Sequence, residues 1–230
     1  MMRDDPLKYQ SMLNKKGVTL IELLVVLVIC AIVIGGIYKV FIAQTRAYTV
    51  QDQVAEVQQD VRGAMDIMVR DIRMAGFQTN SFGSALITNG PIETPLQDTS
   101  ITVNYEYIPS VGAPAAYRVA YAWPGPGGDL TRTLNGAPET LLSNVANLNF
   151  SYGIDANGDG IIDGIVNGVI PDSAFKSAAN VGTGIVFAVQ ITLTANPAPV
   201  DPDVTKMVAP RTLTSVVTPR NMFFKKYQAF

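Results

Sequence analysis

One segment of the sequence carries residue types that could bind a small cation. Residues 155–163 read Asp-Ala-Asn-Gly-Asp-Gly-Ile-Ile-Asp, with side-chain oxygens at the first, third, fifth and ninth positions and glycine at the sixth. Calcium takes about six to eight hard oxygen ligands, and glycine permits the sharp reversal that turns them inward. This order predicts a calcium-binding loop with the ligands Asp155, Asn157, Asp159, Asp163 and the carbonyl of Ile161.

The calcium hypothesis competes with a purely structural one. The twelfth position of the loop is Val166, where a complete EF-hand loop carries a bidentate acid, and a strand rather than a helix is predicted to end at Tyr152. Asp172 would supply a further carboxylate if the chain folded back. Glycine, asparagine and aspartate are also the usual residues of solvated turns. Two alternatives therefore stay open, a turn without metal and a calcium loop with an affinity on the order of 10⁻⁴ to 10⁻³ M.

The composition removes several functional classes. The chain contains no histidine, and its single cysteine is Cys30. A histidine-based triad, a histidine-ligated metal site and an intramolecular disulfide are therefore excluded. The sequence also lacks a Gly-x-Ser-x-Gly nucleophile motif, so we do not expect an enzyme. The sequence after Gly17 is net acidic, which argues against nucleic-acid binding because that function usually needs a basic surface.

The N-terminal part of the chain is predicted to form a membrane-spanning helix. Between Val18 and Ile37 only Thr19 and Glu22 are distinctly polar. A helix of this length is about 30 Å long, enough to cross the hydrocarbon core of a bilayer. A carboxylate in that environment costs a few kcal/mol unless a cation accompanies it, so Glu22 is expected to have a cationic partner.

The helical pattern continues past the apolar run and changes its character. Apolar residues recur at three- and four-residue spacings from Val50 to Ala75, and Gly76 follows as a helix-ending residue. These features predict one helix over about Val18–Ala75, with its first half in lipid and its second half packed on a domain. A free coiled-coil stalk is the alternative for the second half. Charged residues near the helix end are expected on the solvent side: Arg70, Asp71 and Arg73.

The remainder of the chain is predicted to be β-rich. Residues 77–97 indicate an irregular connector, and beyond it several segments alternate apolar and polar residues with a period of two. The predicted strands are Ile101–Tyr107, Tyr117–Trp123, Leu130–Leu134, Val145–Tyr152, Ile185–Thr194 and Arg211–Val217. Of these, Ile185–Thr194 is expected to be the longest. The pattern predicts an α+β fold in which one face of an antiparallel sheet covers the helix.

The start of the chain resembles a known processing signal. The sequence Lys-Gly-Val-Thr-Leu-Ile-Glu at residues 16–22, followed by the apolar run, resembles the class III signal of type IV prepilins and type II secretion pseudopilins. The resemblance implies that prepilin peptidase cuts after Gly17 and methylates the new amino terminus of Val18. It also implies that Glu22, the fifth residue of the mature chain, pairs with the amino terminus of a neighbouring subunit.

Two further segments resemble one particular family of these proteins. Residues 63–77, with the order Arg-Asp-Ile-Arg-Met-Ala-Gly-Phe at their end, and residues 211–221 are similar to the PilW family of minor pilins. Many major pilins place a proline where this chain has Lys39, so its absence fits a minor subunit with a straighter helix. Family members often carry a glycine- and aspartate-rich segment similar to residues 155–163.

The resemblance implies a biological setting. A minor pilin is assembled into a type IV pilus, or primes its assembly, together with major and minor pilins and the inner-membrane assembly platform. It first spans the bacterial inner membrane once with a periplasmic head, and then lies in the filament or its tip. A J-type pseudopilin of type II secretion is the first alternative, and a membrane-tethered calcium-dependent adhesin is the second.

The expected domain organisation follows from these segments. A prepilin leader at 1–17 precedes a transmembrane or filament-core helix at 18–37. An amphipathic helix at 38–76 then packs on a β-rich head at 77–230.

Overall fold

The computed structural model describes residues 17–78, 87, 89–107, 113–198 and 207–219. The predicted leader up to Lys16 and the Arg220-Asn221 pair of the C-terminal resemblance lie outside the described residues. The chain divides into two compact units, with the boundary between Thr49 and Val50.

One long helix, α1, runs from Leu20 to Met74 and contains 55 residues. It confirms the predicted helix, beginning two residues later and ending one residue earlier. Gly76 has a φ of +77°, a left-handed conformation that glycine adopts without strain, and it ends the helical path. The Gly76 amide then donates a hydrogen bond to the carbonyl oxygen of Asn104, at 2.8 Å.

In the first unit, α1 is exposed to solvent along nearly its whole length. Every residue from Gly17 to Tyr48 is exposed, including large apolar side chains such as Leu20, which is 84% exposed, and Ile32, which is 70% exposed. By length and composition this helix is apolar enough to cross a membrane. Exposed apolar surfaces of this extent are typical of sites that contact a membrane or another protein.

In the second unit, α1 is the helical layer of a hydrophobic core. Its inward side chains recur every three or four residues and are almost fully buried: Val57, Val61, Met65, Met68 and Ile72. They belong to one cluster with apolar residues of the sheet. The predicted amphipathic stripe is therefore confirmed, and the alternative of a free coiled-coil stalk is wrong.

The sheet is antiparallel throughout. Its strands are β1 Ser100–Tyr107, β2 Ala115–Ala122, β3 Gly128–Leu134, β4 Ala137–Asp155, β5 Phe175–Lys176, β6 Ile185–Ala195 and β7 Arg211–Val217. Their order is β1-β2-β3-β4-β6-β7, and the short β5 pairs with β4. Every predicted strand overlaps an observed one, and the α+β prediction of a helix packed on an antiparallel sheet is confirmed.

The longest strand was wrongly predicted. β4 has 19 residues, whereas β6 has 11. β4 begins at Ala137 because Ala137–Leu142 pairs with β3, and it continues through Asn144, whose φ is 55°, by means of register shifts. Proline and asparagine favour turns locally, but the pairing with β3 on one side and β6 on the other outweighs that preference. At its other end β4 extends past Tyr152 to Asp155.

Asp71 also departs from the prediction. Arg70 and Arg73 are exposed as expected, but Asp71 is only 2% exposed. The phenol of Tyr121 donates a hydrogen bond to Asp71 Oδ2 at 2.6 Å, and Arg132 Nε donates to the same oxygen at 2.9 Å. Asp71 lies on the sheet side because two residues distant in sequence provide it with a cation and a donor.

The Asp71 network extends to the surface of the sheet. Arg132 Nη1 donates to Glu139 Oε1 at 2.7 Å, so the guanidinium bridges a buried and an exposed carboxylate. Burial and the hydrogen bond to Asp71 both raise the pKa of Tyr121, so the phenol stays protonated and continues to donate. The network therefore joins the last turns of α1 to β2 and β3 beside the apolar core, and to β4 at the surface.

Candidate functional site

The predicted cleavage point lies in the exposed segment that precedes α1. Gly17 and Val18 are both exposed and neither belongs to the helix. A Cβ built on Gly17 would have no atom of the described residues within 4 Å, so packing within the described ranges does not require glycine here. Cleavage between Gly17 and Val18 stays a prediction.

Glu22 lies in the first turn of α1 and contacts Thr19. The backbone and hydroxyl donors of Thr19 both reach Glu22 Oε2 at 3.3 Å, and the Glu22 amide donates to Thr19 Oγ1 at 3.3 Å. This reciprocal pattern is a capping box, which satisfies amide groups that have no partner at the start of a helix. Thr19 was not predicted to have a role, although the spacing Thr-x-x-Glu before an apolar run indicates one.

The aspartate-rich loop starts from the end of β4. Asp155 is the last residue of that strand and is 2% exposed. Its Oδ1 accepts a hydrogen bond from the Gly158 amide at 2.6 Å, and its Oδ2 accepts one from the Gly160 amide at 2.7 Å. Both glycines have a positive φ, 78° and 89°, so the chain can curl around the carboxylate without strain. Backbone amides therefore stabilise the buried negative charge of Asp155.

The other predicted ligands belong to the same hydrogen-bonded loop. Asn157 Oδ1 accepts from the Asp159 amide at 2.9 Å, and Asp159 Oδ1 accepts from the Ile161 amide at 2.7 Å. The amide nitrogen Nδ2 of Asn157 also donates to Asp159 Oδ2 at 2.9 Å. Asp163 Oδ2 accepts from the Ala156 amide at 3.1 Å, which brings the end of the loop back to its beginning.

The loop is anchored to the sheet by an apolar contact. Ile162 is 6% exposed and belongs to a small cluster with Ala174, Phe187 and Ala188. The Asp163 amide donates to the carbonyl oxygen of Ile154 at 2.7 Å. The predicted ligand residues therefore occupy a folded loop on the end of β4.

The donor chemistry of the loop suits a hard cation. A carboxylate has about four lone-pair sites, so an oxygen that accepts one amide hydrogen bond retains capacity for a metal ion. However, within the described ranges no three acidic, cysteine or histidine side chains are gathered as a metal-binding group. The carboxylate of Asp172 accepts a hydrogen bond from Gln190 Nε2 at 2.9 Å. Calcium binding stays a prediction, with Asp155, Asn157, Asp159, Asp163 and the carbonyl of Ile161 as its ligands.

Comparison with known proteins identifies the N-terminal segment. Residues 12–38 match the family model described as the prokaryotic N-terminal methylation motif. A search of curated proteins found no match. The matched segment contains Gly17, Val18 and Glu22 and ends well before the sheet. The chain therefore carries a type IV prepilin-like methylation signal in front of an α+β fold of the type IV pilin-like kind.

Proposed function

We propose that this protein is a minor pilin of the PilW type, which is assembled into a type IV pilus or primes its assembly through α1. One observation carries the proposal: a methylation signal leads into a single helix that is bare and apolar in the first unit and buried in a core in the second. A helix of this kind suits transfer from lipid into a helical filament, because both environments cover its apolar surface. The methylation signal therefore supports a structural rather than a catalytic role.

The proposed mechanism begins with processing. Prepilin peptidase cleaves after Gly17 and methylates the amine of Val18, while the head remains on the periplasmic side of the inner membrane. The new amine is a cation, and Glu22 of a neighbouring subunit is its proposed partner. The capping box supports this role, because it holds the Glu22 carboxylate at the exposed start of the helix. Other pilins and the inner-membrane assembly platform are the proposed partners.

The intact mass of the membrane-extracted protein tests the assignment. We expect the mass of residues 18–230 plus one methyl group for the natural chain, and an unprocessed mass for Gly17→Ala. Normal processing of Gly17→Ala, or an unprocessed natural chain, would contradict the pilin assignment. The J-type pseudopilin would give the same mass, so recovery with sheared pili, and its loss when the pilus assembly platform is deleted, separates the two.

The role of Glu22 requires its own measurement. Glu22→Val should leave membrane insertion intact but lower recovery in sheared filaments when wild-type subunits are present. Thr45→Val provides the control, because it replaces an exposed polar side chain of α1 outside the capping box and leaves Thr19 and the Glu22 carboxylate in place. Equal recovery of Glu22→Val and the natural chain would refute the pairing role.

We further propose that the loop at residues 155–163 binds calcium. The supporting observation is that Asp155 is buried with both oxygens fixed, so the loop is already folded around a carboxylate. Calcium at millimolar concentration should raise the melting temperature of the detergent-solubilised chain, and Asp159→Ala should abolish the rise. Asp66→Asn, an exposed acid on α1, is the control. If calcium has no effect on the natural chain, the metal proposal fails and the pilin assignment is unaffected.

A further inference from the structure

A groove in the second unit lies apart from the processing motif and from the aspartate-rich loop. Its volume is about 880 Å³, which is within the range of roughly 300 to 1,000 Å³ that is usual for binding pockets. Two chain segments form its walls: residues 91–99, which lead into β1, and residues 178–186, which lead into β6.

The groove is mostly apolar and adjoins the hydrophobic core. Ile92, Val181 and Val186 line it, and all three are buried. They belong to the same core cluster as the inward side chains of α1. Asp98 is the single charged residue among the described residues that line the groove, and its Oδ1 accepts a hydrogen bond from the Ala178 amide at 2.6 Å. The groove therefore suits an apolar guest rather than an ion.

The described part of β7 leads toward this groove. Val217 lies opposite Val189 of β6 and belongs to the core cluster that contains Val186. Continuing the register by one residue at a time brings residue 220 level with Val186, about 10 Å beyond Val217 by the rise of a strand. Pro219, the last described residue at this end, is buried. The chain therefore leaves β7 on the side of the sheet and at the end of β6 where the groove lies.

The residues that follow Pro219 have the composition of an apolar guest. Residues 220–230 read Arg-Asn-Met-Phe-Phe-Lys-Lys-Tyr-Gln-Ala-Phe, with aromatic residues at four of the eleven positions. Each aromatic side chain buries about 150 to 250 Å² in a core or an interface, so a run of this kind favours contact with apolar surface. Eleven extended residues span at most about 40 Å, which is enough to cross a groove that begins beside Pro219.

From these observations we infer that the groove is the docking site of this chain's own C-terminal segment, residues 220–230. The aromatic side chains of Phe223 and Phe224 cover the apolar floor at Ile92 and Val186, and the segment closes this end of the core. Docking within one chain is favoured over docking of a second copy, because the short tether from β7 keeps the effective concentration of the segment at the groove high.

Photocrosslinking of the purified full chain in detergent tests the inference. Benzoylphenylalanine replaces Tyr227, and mass spectrometry of the peptides locates the adduct. We expect an adduct within one chain to residues 91–99 or 178–186. The control probe replaces Tyr107, which is exposed at the end of β1 remote from residues 91–99, and it should form no adduct with either segment. A mixture of isotopically labelled and unlabelled chains distinguishes adducts within a chain from adducts between chains.

Two double variants separate apolar docking from charge. Phe223→Ser with Phe224→Ser should lower the yield of the Tyr227 adduct about fivefold, because it removes the apolar surface that the groove covers. Lys225→Gln with Lys226→Gln changes two adjacent residues and should leave the yield within about twofold, since the groove offers little charge. Hydrogen exchange across residues 178–186 should become faster in the phenylalanine variant alone. Unchanged exchange in the second half of α1 shows that the head is folded.

Each outcome decides the inference. An adduct within one chain to either wall, with a yield that depends on the two phenylalanines, supports it. An adduct that joins two chains would overturn it, because the groove would then hold the segment of a second copy. The absence of an adduct with either wall would overturn it too, as would a yield that follows the lysines instead of the phenylalanines. Processing at Gly17 is independent of this groove, so failure here leaves the pilin assignment intact.

Discussion

Asp71 and Asp155 are both 2% exposed, yet the molecule stabilises their charges in different ways. Asp71 receives hydrogen bonds from the side chains of Tyr121 and Arg132, which are 50 and 61 residues away in sequence. Asp155 receives them from the amides of Gly158 and Gly160, three and five residues away. One carboxylate is therefore stabilised by tertiary contacts, and the other by a local turn.

The difference shows what each region depends on. Removing one member of a buried ion pair leaves a charge without compensation, and that charge destabilises the whole domain. Backbone amides at the surface can turn to water when their acceptor is removed, so the damage should remain local. We therefore expect Asp71 to control global stability and Asp155 to control the order of its own loop.

The largest expected effect comes from Asp71→Ala. The substitution leaves Arg132 and Tyr121 without their buried acceptor, and we expect a loss of about 3 kcal/mol of unfolding free energy. Chemical denaturation of the detergent-solubilised chain measures it. Arg70→Ala is the control, because the Arg70 side chain is 68% exposed and reaches Asp71 only at 3.5 Å. Similar losses in both variants would contradict the tertiary role of Asp71.

Asp155→Ala should have a smaller effect that is confined to the loop. The substitution removes two hydrogen bonds to a charged acceptor, which together are worth about 2 kcal/mol after the freed amides become hydrated. Hydrogen exchange should become faster across residues 155–163, while exchange in α1 and β6 should stay close to that of the natural chain. Loss of protection throughout the sheet would show that the loop and the core are one cooperative unit, and the comparison would fail.

Tyr121→Phe separates the contributions of the two donors in the Asp71 network. It removes one donor to Asp71 and retains Arg132, so we expect a loss of about 1 kcal/mol at neutral pH. Burial first, and then the hydrogen bond to Asp71, raise the pKa of Tyr121 above its ordinary value of 10.0. A raised pKa contributes stability that is complete below about pH 10 and disappears as the pH rises further. The decrease in unfolding free energy as the pH rises above about 10 should therefore be smaller in Tyr121→Phe. An unchanged dependence of unfolding free energy on pH would contradict this expectation.

The smallest expected effect concerns an ion pair nearer the surface. Glu93 accepts hydrogen bonds from Arg118 at 2.7 and 2.6 Å, and these bonds hold the pKa of the Glu93 carboxyl below its ordinary value of 4.5. A carboxylate whose pKa is lowered by folding contributes stability at pH values above about 4.5. That contribution is lost as the pH falls through the pKa of the group in the folded state. Because the Arg118 side chain is 52% exposed, the contribution should stay below about 1 kcal/mol.

Denaturation at pH 7 and at pH 3 checks this expectation. Glu93→Gln should be slightly less stable than the natural chain at pH 7, and the difference should become smaller at pH 3. A variant that is equally destabilised at both pH values would show that Glu93 stabilises the fold by packing rather than by its charge.

Local patterns in the sequence determined much of this protein. The apolar run, the three- and four-residue spacing before Gly76 and the period-two segments predicted α1, most strands and the α+β class, because these signals depend on neighbouring residues. The methylation signal and the aspartate-rich loop were visible for the same reason. The Thr19–Glu22 capping box was not predicted, although its Thr-x-x-Glu spacing is an equally local signal.

Only the tertiary structure decided the remaining features. Asp71 had the charge and position of a solvent-side residue, and nothing near it in sequence indicates that Tyr121 and Arg132 would reach it. The extension of β4 through Asn144 depends on its partners β3 and β6. Contacts between residues far apart in the chain create these features, so patterns of neighbouring residues could not predict them.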